Sequence, residues 1–192
     1  MMNTDKTVDS LRVSFAVPAG WHRFSILDDL MVTRDGVFLQ HLFIERIHVT
    51  QTYRPFMGWF HHVAAFPPLS LEDWRSRWAK SLKTCFTAGM LPADAANVLL
   101  ESRKNDPKVT DLLVQKIVTR TVAGRQAFRA VFDFRLKDSV LKPSPVYRSV
   151  YCGFMEGDWF YGISYTAALR HYFEKDADTF EVFLDSIRLV EE

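Results

Sequence analysis

His41 and Glu45 lie four residues apart, an imidazole and a carboxylate that would have to converge on one ion to make a metal site. The residues around them read as a strand, where four positions span about 13 Å, too far to share one ion. His61 and His62 are neighbours in sequence and point apart in any regular structure. Gly162-Ile163-Ser164-Tyr165-Thr166 has part of the pattern of a nucleophile elbow, but the second glycine is missing and Ser164 falls inside a strand, not at its end. The paired acids Asp28-Asp29 and Glu72-Asp73 fit a turn and a helix start, where carboxylates meet the positive end of the dipole. Cys85 and Cys152 belong to no Cys-x-x-Cys or Cys-His pattern. They read as buried free thiols that pair only in an oxidising compartment and only if their Cα atoms approach. The expectation is no catalytic residue, no metal and no cofactor.

Composition points the same way. The chain has 192 residues, 48% of them apolar and 14% aromatic, with sixteen Phe, enough for one globular domain with an aromatic core and no disulfide staples. A formal charge of +1 gives no long-range field to gather nucleic acid. Pro55 to Leu71 carries no formal charge and crowds Phe56, Met57, Trp59, Phe60, Val63 and Phe66 between prolines. It is too short and broken to span a membrane. A patch of this kind takes a protein partner, a lipid or a small apolar ligand, or folds as a lid over the sheet. Phe56, Trp59, Phe60 and Phe66 are the expected binding residues, with Trp59 and Phe60 as anchors.

The elements that hold these residues are mainly hairpins. Leu30–Arg34 and Val37–Ile47 flank Asp35-Gly36; Leu112–Thr121 and Gln126–Leu136 flank Val122-Ala123-Gly124-Arg125; Val146–Met155 and Trp159–Thr166 flank Glu156-Gly157-Asp158. Each reversal carries a glycine able to take positive φ. Arg12–Val17 is a further extended run. Val37–Ile47 is apolar on both faces, as a central strand covered on both sides must be. Phe173, Ala177, Phe180, Leu184 and Ile187 keep helical spacing at the end of the chain. A second helix is expected from Pro92 to about Arg103, and a third after Ser70, where Ser-Leu-Glu-Asp has the form of a capping box. The predicted fold class is α+β: an α/β/α sandwich whose central antiparallel sheet of hairpins is flanked by helices. Residues 1–10 are expected to be a disordered tail, 11–192 a single domain, and 51–82 an apolar loop and helix inserted in it.

Phe15-Ala16-Val17-Pro18-Ala19-Gly20-Trp21, Val122-Ala123-Gly124-Arg125-Gln126-Ala127 and the closing Asp185-Ser186-Ile187-Arg188 together resemble the PsbP-like superfamily. It includes the PsbP subunit of photosystem II, a yeast Ran-release factor, DcrB-type envelope proteins and chaperones of type VI secretion effectors. Asp35-Gly36-Val37-Phe38-Leu39-Gln40 and Phe86-Thr87-Ala88-Gly89-Met90-Leu91-Pro92 are similar to a group of bacterial lipoproteins, from which the segment Gln51–Lys80 departs. The matched residues report fold, and fold alone does not give function. The resemblance implies a non-catalytic binding or scaffold protein of the bacterial cell envelope. The alternative it implies is a cytosolic chaperone or adaptor that cradles apolar helices of a secreted effector, and a third is an enzyme whose site is dispersed in sequence. The polar start, Met1 to Ser10, lacks the apolar core of a secretory signal. The protein is therefore expected in the periplasm if a leader has been removed, and otherwise in the cytoplasm.

Overall fold

The computed structural model describes residues 6–8, 11–26, 29–49, 85–137 and 139–190. Seven strands form one antiparallel sheet: β3 (His22–Ile26), β4 (Asp29–Thr33), β5 (Gln40–His48), β6 (Val109–Val122), β7 (Arg125–Leu136), β8 (Tyr147–Glu156) and β9 (Trp159–Ala168). Their spatial order is β3-β4-β5-β9-β8-β7-β6. A small sheet joins β1 (Lys6–Val8), β2 (Val13–Phe15) and β10 (Arg188–Leu189) in the order β1-β2-β10. Helix α1 spans Pro92–Lys104 and α2 spans Glu174–Ser186, the latter entered through a π-helical turn at Leu169–Phe173.

The period-two alternation of the strands divides the core into two layers. On one face Val150, Cys152 and Phe154 of β8 with Ile163 and Tyr165 of β9 pack against Phe180, Phe183 and Leu184 of α2 and against Val13 and Phe15 of β2. On the other, Phe128, Phe132 and Phe134 of β7 with Tyr147 and Tyr151 of β8 meet Phe86 and the Ala95, Ala96 and Leu99 stripe of α1. Two helices on opposite faces of an antiparallel sheet make the α/β/α sandwich that the sequence predicts. Among the described residues, no helix is long and apolar enough to cross a membrane.

Two of the reversals are as tight as their glycines allow. Ala123-Gly124 joins Val122 to Arg125 with φ of +49° and +75°, and Gly157-Asp158 joins Glu156 to Trp159. The first reversal is longer than expected. β5 begins at Gln40, not Val37, because the amides of Leu39 and Gln40 both donate to the Gly36 carbonyl, at 2.9 and 3.1 Å, and the Thr33 hydroxyl donates to the Gln40 carbonyl at 2.6 Å. Those bonds close a loop from Arg34 to Leu39. Within the first ten residues, Lys6–Val8 pairs with β2, Lys6 opposite Phe15 and Val8 opposite Val13. The predicted insertion at 51–82 and the helix after Ser70 lie outside the described residues.

Cys152 sits in the α2-side layer, and Phe86, next to Cys85, sits in the α1-side layer. No disulfide joins the two. Burial pushes the Cys152 thiol up to about 12 even with Arg120 and Arg129 close by, so it is a packing residue and not a nucleophile.

Candidate functional site

At the end of the sheet where the β6–β7 and β8–β9 turns lie, the strands and β10 enclose an open groove of about 610 Å³. Antiparallel pairing places Arg46 opposite Tyr161 and His48 opposite Trp159, so these four side chains share one face. The Arg46 guanidinium lies over the Trp159 ring, 3.6 Å from its centroid, and 5.7 Å from that of Tyr161. His48 meets Trp159 edge-on at 4.7 Å. A guanidinium over an indole face is held there by the attraction of the cation to the ring.

Arg12, Arg125 and Arg188 complete the rim, with Glu156 and Asp158 as the acidic members. Arg125 is held in a two-point pair by Glu156, Nη2 to Oε1 at 2.8 Å and Nε to Oε2. That pairing keeps the Glu156 carboxyl below its ordinary range. Arg188 donates through Nη1 to the carbonyls of Asp185, at 2.6 Å, and Ile187, at 2.8 Å. Burial raises the Tyr161 phenol, while Arg46 and Arg12 pull against that rise. Among the described residues the groove lining holds four guanidinium groups and two carboxylates.

A second polar cluster is buried on the α1 side. Cross-strand pairing sets up three rows: His41, Thr166, Ser149 and Phe132; Phe43, Ser164, Tyr151 and Ala130; Glu45, Gly162, Gly153 and Phe128. Ser149 and Thr166 share a hydrogen bond of 2.9 Å, Tyr151 donates to Glu45 Oε1, and His41 Nδ1 lies 3.0 Å from the Val37 carbonyl. The two glycines make the third row possible. A Cβ on Gly162 would run into the Tyr151 hydroxyl, 2.7 Å from Cζ and 2.9 Å from Glu45 Oε1, and one on Gly153 would lie 2.6 Å from the Phe128 ring. Gly162→Ala is accordingly expected to destabilise the domain by about 1–3 kcal/mol, the usual cost of overpacking. Urea denaturation reads this directly, and an unchanged midpoint would mean that Tyr151 does not lie over Gly162.

No family model and no curated protein matches the chain. Solved structures do. Cyanobacterial PsbP (CyanoP) from Synechocystis superposes with a TM-score of 0.50 at 10% identity, covering 97% of this chain and 91% of its own. The fold is PsbP-like. The Ran-binding protein Mog1p of Saccharomyces cerevisiae gives 0.50 at 9% identity, covering 100% of this chain and 97% of its own. A Bacteroides thetaiotaomicron protein gives 0.53 at 11% identity, and this chain spans half of its length. At such identities the likeness is one of fold.

Within this PsbP-like domain the residues singled out in the sequence scatter. Phe56, Trp59, Phe60 and Phe66, like His61 and His62, lie outside the described residues. His41 and Glu45 share a face of β5, separated by Phe43, and each is tied to a different neighbour. Ser164 is mid-strand and buried, opposite Phe43. Among the described residues, no three His, Cys, Asp or Glu side chains converge as metal ligands do. The groove went unread because Arg12, Arg46, Arg125 and Arg188 come from four distant elements. Only Arg125 and Trp159, each directly after a turn glycine or its neighbour, gave a local signal.

Proposed function

We propose that the protein is a non-catalytic binding protein that engages a protein partner through this groove. The observation that carries the reading is the set of guanidinium groups gathered around Trp159 and Tyr161 at an open end of the sheet. Arginine and aromatic side chains in a concave site are the usual anchors of recognition. A fold neighbour that is itself a Ran-binding protein accords with a binding role. The apolar Pro55–Leu71 stretch, with Phe56, Trp59, Phe60 and Phe66, supplies a second contact in this reading.

We place the role in the bacterial cell envelope, on the likeness of two sequence stretches to bacterial lipoproteins. The second reading is a cytosolic chaperone that cradles apolar helices of a secreted effector; the uncharged aromatic composition of Pro55–Leu71 favours it. Fractionation of the producing cell separates the two. The binding reading itself is tested by cross-linking the partner in intact cells with the native chain and with an Arg46→Ala/Trp159→Ala variant. Capture is expected to drop by about tenfold or more, as for loss of anchor residues, with the fold retained by circular dichroism. Undiminished capture by the folded variant would move the binding site elsewhere.

A further inference from the structure

We propose that the outer edge of β6 is a second docking surface, independent of the groove, which takes an extended segment of another protein as a further strand of the sheet. That segment is acidic on the side that meets Lys116 and apolar on the side that meets Ile117. At 14 residues β6 is the longest of the described strands, and it lies at one end of the seven-stranded sheet. Among the described residues it pairs on one side only, with β7. Such an edge presents a row of backbone N–H and C=O groups, the template on which a strand adds. Proteins close an edge of this kind with bulges, and the first half of β6 is closed so. Its register slips between Thr110 and Leu113 and again between Val114 and Lys116, and Asp111 takes φ of +54°. The second half is regular. From Lys116 opposite Val131 to Val122 opposite Arg125 the pairing runs residue for residue, along mainly β-branched residues that favour extended backbone.

Exposure shows that the edge is open, and its two faces show what suits it. Leu113 to Ile117 are exposed without a break, with 58% for Leu113, 41% for Val114 and 43% for Ile117, more than a strand lying alongside would leave. Cross-strand partners share a face. Val114, Ile117 and Thr119 lie opposite Phe132, Ala130 and Phe128 and so stand on the α1 side; Lys116 and Arg120 lie opposite Val131 and Ala127, on the α2 side. Arg120 is already held by Glu181 at 2.8 Å and Asp185 at 3.5 Å. Lys116 is exposed, and no acidic residue occurs between Leu112 and Val122. The complement is a strand that alternates β-branched and acidic residues, its apolar side against Ile117 and Val114 and a carboxylate against Lys116. A second copy of this chain suits the edge less well. A two-fold antiparallel pairing centred on Val118 sets Lys116 of each copy opposite Arg120 of the other, and like charges opposite one another are destabilising.

The test is fluorescence anisotropy of the whole chain with a labelled Thr-Glu-Val-Glu-Val-Glu-Val-Thr peptide, against Thr-Lys-Val-Lys-Val-Lys-Val-Thr, at about 50 mM salt, where screening is weak. The acidic peptide is expected to bind at least about tenfold more tightly than the lysine peptide. Lys116→Glu should weaken it by about tenfold, and Lys116→Gln by less. Lys137→Glu, an exposed position past the end of β7 where Leu136 lies opposite Val109, should change nothing. Backbone pairing has a signature of its own. Successive residues of a strand turn their N–H groups to opposite edges, so N-methylation of the acidic peptide at one set of alternate residues should abolish binding, and at the other set should spare it. Bound peptide should also slow hydrogen exchange at the outward amides between Lys116 and Val122. Equal binding of the two peptides, equal losses for Lys116→Glu and Lys137→Glu, equal effects of the two N-methylation patterns, or slowed exchange confined to other elements would overturn the proposal. So would a dimer in sedimentation whose β6 amides are protected without peptide, because the edge would then belong to a second copy.

Discussion

Phe180→Ala is expected to lower the unfolding free energy by about 3–5 kcal/mol, the range for deleting a buried phenyl ring. Phe180 is 1% exposed and lies with its centroid 6.1 Å from that of Tyr165, at the middle of the stripe by which α2 covers the sheet. Tyr165 is itself pinned, its hydroxyl bonded at 2.9 Å to the Tyr172 carbonyl and at 3.2 Å to Gln40 Oε1. It cannot swing into the space left by the ring, so the cavity stays open and the loss falls toward the upper end of the range. Val182 on the same helix is 52% exposed, and Val182→Ala should cost no more than about 0.5 kcal/mol. Urea denaturation of the three proteins decides the matter. Equal midpoints for Phe180→Ala and Val182→Ala would mean that α2 does not close the core on this face.

Phe180 also shows what the sequence could be made to say. Its three- and four-residue spacing with Ala177, Leu184 and Ile187 follows from helix geometry alone, and so α2 was legible. The β6–β7 and β8–β9 hairpins were legible for a similar reason, since alternating apolar residues flank a glycine that must take positive φ. β3 was not: His22, Arg23 and Ser25 break the apolar alternation, and the strand owes its place to pairing with β4, a non-local cause. β10 is two residues long and exists only because β2 lies beside it. The start of β5 moved by three residues because a side-chain bond from Thr33 closes the loop before it, and no local pattern encodes that bond.

The candidate site was less legible still. The rim arginines are exposed or partly exposed, and at the level of sequence each is simply a surface charge. Convergence follows from the seven-strand order, which sets β5 next to β9 and brings the two turn ends to one place. The strand glycines Gly153 and Gly162 were a readable signal, because glycine inside a strand marks close approach of another group. The close approach here is an aromatic ring in each case.

His41 carries the second large effect, and it depends on pH. The ring is buried on β5, and desolvation lowers its pKa from 6.5 to about 4, with the Arg103 charge acting in the same direction and the Val37 carbonyl opposing it. The folded protein therefore holds a neutral imidazole across the interval in which the unfolded chain takes up a proton. Stability from this group is fully present above about pH 6.5 and is lost as pH falls from there toward 4, since the unfolded state binds more protons throughout that window. The interval corresponds to about 3 kcal/mol at 1.36 kcal/mol per unit. Below the folded pKa both states are protonated and the contribution stops changing. Denaturation of the native chain at closely spaced pH values between 4 and 7.5, alongside His41→Gln, isolates the effect from that of the carboxylates. The variant is less stable at neutral pH, having lost a buried ring, but its stability should fall less steeply across the window by an amount that integrates to the same few kcal/mol. Parallel curves for the two proteins would place the His41 proton uptake of the folded state where the unfolded chain has it, and the burial of the ring on the α1 face would then be wrong.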